Sequence, residues 1–237
     1  MALSLDLTGK VVLVTGGTRG IGRGITSAFL SAGASVVTCS RSGVEPVPGS
    51  THRVCDVRDA EAVTALVDAV VAEHGRLDVL VNNAGGAPST DAATASPRFH
   101  DKILALNLSA PLVLAQAANR VMQEQGTGGA IVNISSISAH RPAPTIAAYG
   151  AAKAGLDSLT RSLAMEWGPR VRVNAIDVGL CRTEQTDDHY GDDSRVAAIE
   201  STIPLGRMAT PTEGRNLAVF LASDLALSFS GARVTCD

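Results

Sequence analysis

The sequence has few aromatic residues and no strong excess of either charge. Its 237 residues include one Trp, two Tyr and four Phe against 23 glycines. The core must therefore be built from aliphatic side chains, with several places where backbones approach closely. The formal net charge of −3 lacks the basic excess that neutralises nucleic-acid phosphates. These two features disfavour a β-sandwich built on large rings and a nucleic acid as partner.

Close cysteine pairs and long apolar runs are also missing. The four cysteines, Cys39, Cys55, Cys181 and Cys236, form no CxxC pattern, and the histidines have no ligand spacing, so neither a disulfide framework nor a metal site is expected. No apolar run approaches the roughly 20 residues that span a bilayer, and the first ten residues lack the pattern of a secretory signal. We therefore expect no membrane partner and a cytoplasmic protein.

Short β-branched runs alternate with longer helical stretches along the chain. This alternation predicts a parallel sheet with helical crossovers, and because the runs are apolar throughout, both faces of the sheet should be covered. The fold class expected is α/β, a single-domain Rossmann-type doubly wound parallel sheet of about seven strands over residues 1–237. Six strands are predicted directly, at Val11–Val14, Ser35–Thr38, His52–Val54, Leu77–Val81, Ala130–Ile134 and Val171–Ile176.

Helices are predicted between these strands. They cover Ile21–Ala32, Asp59–Glu73, Ser96–Gln125, Ala148–Trp167 and Thr212–Ala222. The connection Ser42–Thr51 carries Pro46 and Pro48 and is too short and too rich in breakers for a crossover helix. The segment 183–204 has no firm period, which favours a mobile lid over a site.

A glycine-rich turn, Thr15–Gly22, directly follows the first predicted strand and opens the first helix. Glycines at this place let backbone N–H groups and the positive end of a helix approach a pyrophosphate. A plain strand-to-helix turn is the alternative interpretation, but the position between strand and helix favours a nucleotide cradle.

Together with Asn82-Asn83-Ala84-Gly85 and Tyr149-Gly150-Ala151-Ala152-Lys153, the TGxxxGxG pattern of this turn resembles the short-chain dehydrogenase/reductase family, in particular a 3-oxoacyl reductase-like member. The resemblance covers nearly the whole chain. It implies an enzyme that interconverts a carbonyl and a secondary alcohol with a nicotinamide dinucleotide. It also implies cofactor contacts from Gly16, Thr18, Gly20, Ile21, Gly22, Asp56, Val57, Asn82, Asn83, Ala84, Gly85, Tyr149, Lys153, Gly179, Cys181 and Thr183.

The end of the second strand decides between the two dinucleotides. An acidic residue there would bind the adenosine ribose and repel a 2′-phosphate, but the sequence reads Cys39-Ser40-Arg41. Arg41 and Arg19 are placed to bind a phosphate dianion by charge-assisted hydrogen bonds. NADP(H) is therefore the favoured cofactor, NAD(H) remains possible, and solvated surface arginines are the alternative.

Tyr149 and Lys153 are four residues apart on a predicted helix, which places them on one face. A neighbouring ammonium favours the ionised form of a phenol, whose ordinary pKa of about 10 is far from neutral. The resemblance implies that Tyr149 transfers the proton and Lys153 also holds the nicotinamide ribose. It implies that Ser136 fixes the substrate oxygen, with Ser135 and Ser138 as rivals, and that Asn107 anchors a water. A structural asparagine is the alternative for Asn107.

The chain departs from the family pattern after the sixth strand. Val178 stands where a proline is usual, which predicts a somewhat looser loop, and Asp177 is a polar neighbour without a derived role. His140 is a candidate border of the pocket. Homotetramers or homodimers are expected by analogy, through the helices Ser96–Gln125 and Ala148–Trp167.

Other functions remain open on the same fold. They are a nucleotide-binding redox sensor without turnover, an NAD-dependent alcohol dehydrogenase, and an epimerase or dehydratase, for which the chain after Thr183 is short. The small-molecule substrate is also left open by the sequence, among a 3-oxoacyl thioester, a steroid-like ketone and a small secondary alcohol.

Overall fold

A computed structural model describes residues 5–182, 193–203 and 205–237, with the side chains of residues 193, 211 and 212 left undescribed. The strands are β1 (Val11–Thr15), β2 (Ser35–Ser40), β3 (Thr51–Val54), β4 (Val79–Asn82), β5 (Gly129–Ser136), β6 (Val171–Val178) and β7 (Arg233–Cys236). The α-helices are α1 (Gly20–Ser31), α2 (Ala60–His74), α3 (Pro97–Leu104), α4 (Ala110–Glu124), α5 (Ala147–Trp167), α6 (Asp193–Glu200) and α7 (Pro211–Ala222).

The seven strands form one parallel sheet in the order β3-β2-β1-β4-β5-β6-β7. The chain builds outward from β1 to β3 and then returns to the other side of β1 with β4. The order therefore reverses between β1 and β4, which makes the carboxyl ends of these two strands the expected ligand crevice. The predicted fold class is confirmed.

Aliphatic side chains cover the sheet on both faces. One core joins the strands to α2, α4 and α5 around Leu114, Met122 and Leu163. The other joins them to α1 and α7 around Ile25, Phe29 and Leu221. Because every central strand is buried on both sides, its β-branched runs are apolar without alternation.

Local signals in the sequence fix several helix ends. The Asp59 carboxylate accepts hydrogen bonds from the backbone N–H groups of Glu61 and Ala62 at the start of α2, and Gly75 ends that helix with a φ of 75°. Thr210 and Glu213 form a capping box at the start of α7. Between β2 and β3 there is no helix, as the two prolines predict.

Two predicted segments differ from the structure. The single helix expected over Ser96–Gln125 is interrupted at Ala105–Ser109 by a π-helical turn that carries Asn107. The lid expected over 183–204 lies partly outside the described residues, and the described part contains α6. This short helix contributes Val196 to a small cluster with Ile203 and Met208. It has too few apolar positions to show a helical period in the sequence.

Among the described residues, no helix has both the length and the apolar composition needed to cross a bilayer.

Candidate active site

The turn between β1 and α1 is shaped by glycines at positions where a side chain would collide. Gly16 and Gly20 have φ values of 62° and 51°, a region that favours glycine. A Cβ on Gly22 would lie 2.2 Å from the Gly16 carbonyl oxygen, and one on Gly17 would lie 2.7 Å from Thr26 Oγ1. The turn therefore presents bare backbone at the amino end of α1.

Hydrogen bonds join this turn to the loop after β4. The Thr15 hydroxyl accepts from the backbone N–H groups of Asn83 (3.0 Å) and Ala84 (2.9 Å). The Asn83 side-chain amide donates to the carbonyls of Thr15 (2.8 Å) and Gly16 (3.1 Å). The two motifs, remote in sequence, thus form one rigid floor at the switch point of the sheet.

A cavity of about 600 Å³ runs along this floor and over the carboxyl ends of the central strands. Its walls include most of the residues singled out in the sequence. These are Gly16, Thr18, Arg19, Gly20, Ile21, Gly22, Arg41, Val57, Asn83, Ala84, Gly85, Ser136, Tyr149, Lys153, Gly179 and Cys181.

The structure places Tyr149 and Lys153 together on one face of α5. The Lys153 Nζ atom lies 5.5 Å from the centroid of the Tyr149 ring, within cation–π range. Lys153 is buried, and Nζ donates a hydrogen bond of 2.7 Å to the Ile134 carbonyl. Burial lowers the pKa of Lys153 from 10.5 to about 8, while the charge of Asp157 opposes that shift.

Ser136 ends β5 on the same cavity wall. Its hydroxyl oxygen accepts a hydrogen bond of 3.2 Å from the Ser138 backbone N–H, so the serine also starts the following 3₁₀ turn. The rival Ser135 is buried and donates to the Lys153 carbonyl at 3.4 Å. All three serines line the cavity, but the Ser135 hydroxyl is already engaged with the backbone of α5.

Asn107 is fully buried in the π-helical turn. Its amide donates to the carbonyls of Ile103 (2.9 Å) and Gly86 (3.0 Å), and its Oδ1 accepts from the Gly86 N–H (2.8 Å). A Cβ on Gly85 would lie 2.7 Å from Asn107 Oδ1 and 3.4 Å from Lys153 Nζ. Asn107 therefore fixes the loop after β4 close to Lys153. Insertions of this π-helical type are frequent at functional sites.

At the far end of the cavity, Arg19 and Arg41 are exposed. Among the described residues, neither guanidinium has a carboxylate within ion-pair distance. Asp56 is instead bound by Arg58, at 2.9 and 2.5 Å. The hydrogen bond from Arg58 is the main cause of the lowered pKa of Asp56, about 2, and the charge of Arg41 contributes. This end of the cavity is accordingly electropositive.

Several predicted residues lie away from the cavity wall. Asp56 faces Arg58, and the Asn82 amide donates to Asn133 Oδ1 (2.9 Å) and the Pro111 carbonyl (3.1 Å). His140 does not line the cavity, and its Nδ1 is 3.5 Å from an Asp177 oxygen. Thr183 falls outside the described residues.

Other wall residues were missed. The cavity is also lined by Cys39, Ser40, Cys55, Ile146 and Leu180. In the sequence, only their positions near a strand end or beside a motif could have indicated this.

Val178 extends β6 rather than beginning a loop. It is paired between Ser136 and Cys236, and the Gly179 N–H donates to the Cys236 carbonyl at 2.8 Å. Backbone hydrogen bonds also join Leu180 and Arg182 to Ala209. Backbone hydrogen bonds therefore hold the segment with Gly179 and Cys181 to β7 on one side and to the segment at Ala209 on the other.

The shape of the cavity suits a nicotinamide dinucleotide. The bare glycine backbone at the start of α1 fits a pyrophosphate. Lys153 contacts β5, which lies three strands away from β2, the strand that precedes Arg41. A single Cβ on Gly22 would collide with the Gly16 carbonyl oxygen and the Asn83 side chain and so distort this floor.

Comparison with known proteins agrees with this geometry. Residues 16–237 match a protein family described as enoyl-(acyl carrier protein) reductase. The chain is 42% identical to D-threitol dehydrogenase of Mycolicibacterium smegmatis, covering 99% of this chain and 95% of that protein. It is 36% identical to 3alpha-hydroxysteroid dehydrogenase of Mediterraneibacter gnavus, covering 98% and 96%. Aldohexose dehydrogenase of Thermoplasma acidophilum superimposes with a TM-score of 0.93 at 29% identity, covering 99% and 95%.

A doubly wound sheet with this glycine turn defines a dinucleotide-binding α/β protein. The chain belongs to the short-chain dehydrogenase/reductase family and is an oxidoreductase.

Proposed function

We propose that this enzyme interconverts a secondary alcohol and a ketone with NADP(H), using Tyr149, Lys153 and Ser136. The observation that carries the proposal is the placement of Lys153 Nζ 5.5 Å from the Tyr149 ring, in the cavity that also contains the glycine turn.

Each residue has a distinct role in the proposed reaction. When bound, the dinucleotide supplies or accepts the hydride. Tyr149 donates a proton to the substrate oxygen during reduction and accepts it during oxidation, and the Lys153 charge favours the phenolate between these steps. Ser136 hydrogen-bonds the same oxygen as charge develops there. Asn107 keeps the loop after β4 in place against Lys153.

The substrate class is tested by one absorbance assay. We propose a polyhydroxylated secondary alcohol, which is supported by the 42% identity to a D-threitol dehydrogenase. D-threitol, a 3α-hydroxysteroid and a small aliphatic alcohol are assayed with NADP⁺, and a 3-oxoacyl thioester with NADPH. Turnover of D-threitol in preference to the other compounds supports the proposal, and turnover of one of the others without D-threitol contradicts it. Binding of NADPH without turnover of any compound would support the redox sensor instead.

Arg41→Ala is expected to weaken NADP(H) binding by about 10- to 100-fold, which is the size of a lost hydrogen bond to a charged group. NAD(H) affinity should change little, because that molecule lacks the 2′-phosphate. The measurement is direct titration of both dinucleotides into the wild type and the variant.

Arg58→Ala is the matched control for the Arg41 experiment. Arg58 is a nearby cation that pairs with Asp56 and does not line the cavity. Its loss should not change the preference between the two dinucleotides. Tighter binding of NAD(H) than NADP(H) by the wild type would contradict the assignment, as would unchanged NADP(H) affinity in Arg41→Ala.

Lys153→Met is expected to stabilise the folded protein at neutral pH. Burial lowers the pKa of Lys153 from 10.5 to about 8, so the folded state opposes the charge by an amount on the order of 3 kcal/mol. Loss of the hydrogen bond to the Ile134 carbonyl removes about 1 kcal/mol of that gain. The free energy of unfolding should rise by about 2 kcal/mol, which corresponds to a Tm increase of roughly 4 to 8 °C.

The stability difference between Lys153→Met and the wild type should depend on pH. Between pH 8 and 10.5 the unfolded wild type binds the Lys153 proton and the folded protein does not, so wild-type stability rises with pH there. The advantage of the methionine variant should shrink over that window. Lys10→Met, which removes a half-exposed lysine near Asp78, should give no gain. A variant less stable than the wild type at neutral pH would contradict the burial argument.

Assembly into a homodimer or homotetramer and cytoplasmic localisation stay predictions. Light scattering of the purified protein tests the first.

A further inference from the structure

Four titratable or charged side chains from four segments meet beneath α5. Asp157 belongs to α5, Asp177 to β6, Arg233 to β7, and His140 to the segment after β5. Asp157 and Asp177 are 3% and 0% exposed. Arg233 reaches both carboxylates, with Nε 2.9 Å from Asp177 Oδ2 and Nη1 3.5 Å from Asp157 Oδ2. His140 Nδ1 lies 3.5 Å from Asp177 Oδ2.

The two carboxyl groups are close to each other as well as to the arginine. One oxygen of Asp157, one of Asp177 and a ring nitrogen of His140 all lie within 4.8 Å of one another. Within the described part of the chain, Asp157 Oδ1 and both oxygens of Asp177 are buried without a hydrogen-bond donor, and Asp177 Oδ2 has ion-pair contacts with Arg233 and His140. A proton on either carboxyl group would supply the missing donor to the other.

A bound cation is a poorer solution for this cluster. The Arg233 guanidinium already supplies a positive charge between the two carboxylates. A metal ion would have to displace it or share the space with it.

Burial and like charge act in the same direction on Asp177. Burial, then the charge of Asp157, raises the pKa of Asp177 to about 6, while Arg233 and the Ser135 hydroxyl lower it. The carboxyl therefore takes up its proton at mildly acidic pH, well above the range of an ordinary aspartate.

The cluster also reaches Lys153. Asp157 and Lys153 are four residues apart on α5, both buried on the same side of the helix, and the charge of Asp157 raises the pKa of Lys153 against the effect of burial. With both carboxylates ionised, two buried anions face two cations, the exposed Arg233 and the buried Lys153. The pair is thus the counter-charge that lets a lysine without solvent remain an ammonium ion.

We propose that Asp157 and Asp177 take up one proton between them on mild acidification, and that Asp157 is a positioning residue that holds Lys153 as an ammonium ion. The second part rests on the proposed function, since it concerns the lysine of the Tyr149–Lys153 pair. The first part concerns only the cluster.

Infrared spectroscopy tests the shared proton without any activity measurement. At about pH 5 the wild type should show the C=O band of a protonated buried carboxyl group, and the band should disappear as the pH rises through about 6 to 7. Asp177→Asn should lack it, and His140→Asn should retain it. A wild type without the band, or a band lost in His140→Asn and kept in Asp177→Asn, would overturn the shared proton.

The pH dependence of kcat tests the positioning role. Loss of the Lys153 proton should give a basic limb, and Asp157→Asn should move that limb to lower pH by about one unit or more. NADPH affinity at about pH 6, where Lys153 is charged in both proteins, should change little. Asp78→Asn, a buried ion-paired aspartate in the loop before β4, is the control and should move neither the limb nor the band.

The outcomes of these experiments distinguish the proposed positioning role from the proposed function. An unshifted basic limb in Asp157→Asn overturns the positioning role. Full activity of Tyr149→Phe would overturn the proposed function, but it would leave the infrared result in place.

Discussion

Replacing Tyr149 by Phe is expected to lower kcat by about 10²- to 10⁴-fold, the usual contribution of a general acid or base. The phenyl ring fills the same volume in α5, so the cavity keeps its shape. Only the hydroxyl that we propose to move the proton is lost. The measurement is kcat for the best substrate of the panel, at a pH where Lys153 is an ammonium ion.

Binding provides the control for Tyr149→Phe. Because the glycine turn and the arginine end of the cavity are untouched, NADPH affinity should stay within a few-fold of the wild type. A variant that keeps the full rate would refute the role of Tyr149. A variant that loses NADPH binding would show that the hydroxyl acts on the cofactor rather than on the proton.

Gly22→Ala is expected to abolish tight dinucleotide binding. The added Cβ would lie 2.2 Å from the Gly16 carbonyl oxygen and 2.4 Å from Asn83 Nδ2, so the turn after β1 and the loop after β4 must separate. Overpacking of this kind destabilises a protein by about 1 to 3 kcal/mol. Because the displaced atoms form the floor of the cavity, we expect a loss of NADPH affinity of at least about 100-fold, or roughly 3 kcal/mol.

Gly214→Ala in α7 is the matched control. Apart from the backbone of its own helix, no described atom lies within 4 Å of a Cβ at Gly214, so the alanine should stabilise the helix by about 0.5 to 1 kcal/mol and leave binding unchanged. Both affinities are measured by calorimetry at a temperature where both variants are folded. Wild-type affinity in Gly22→Ala would contradict the placement of the pyrophosphate.

Local sequence was sufficient to predict most of the fold. The β-branched runs around Val12 and Val173 are buried strands because a parallel sheet covered on both faces needs continuous apolar segments. Pro46 and Pro48 excluded a crossover helix between β2 and β3. The π-helical turn at Asn107 was not predicted, because the helical spacing of apolar residues continues through Ala105–Ser109. Only the hydrogen bonds between Asn107 and Gly86, which need the folded structure, show that the helix is interrupted there.

The candidate site also has parts that the sequence predicts and parts that it does not. Glycines and the Tyr149–Lys153 spacing are local patterns, so they could be identified from the sequence. The cluster of Asp157, Asp177 and Arg233 could not be identified from the sequence. Its members come from one helix and two strands, and they meet only because β6 pairs with β7 and α5 packs on the sheet. Asp56 was assigned to the cofactor site by the family resemblance, and this assignment stays a prediction. In the structure its carboxylate makes a bidentate contact with Arg58, two residues away.

A crystal structure of the enzyme with NADP⁺ would show directly whether the cavity holds the dinucleotide in the proposed direction. We expect the pyrophosphate on the turn from Gly16 to Gly22, the adenosine 2′-phosphate at Arg41, and the nicotinamide ring beside Tyr149 and Lys153. A dinucleotide bound in the reverse direction, or outside this cavity, would contradict this expectation.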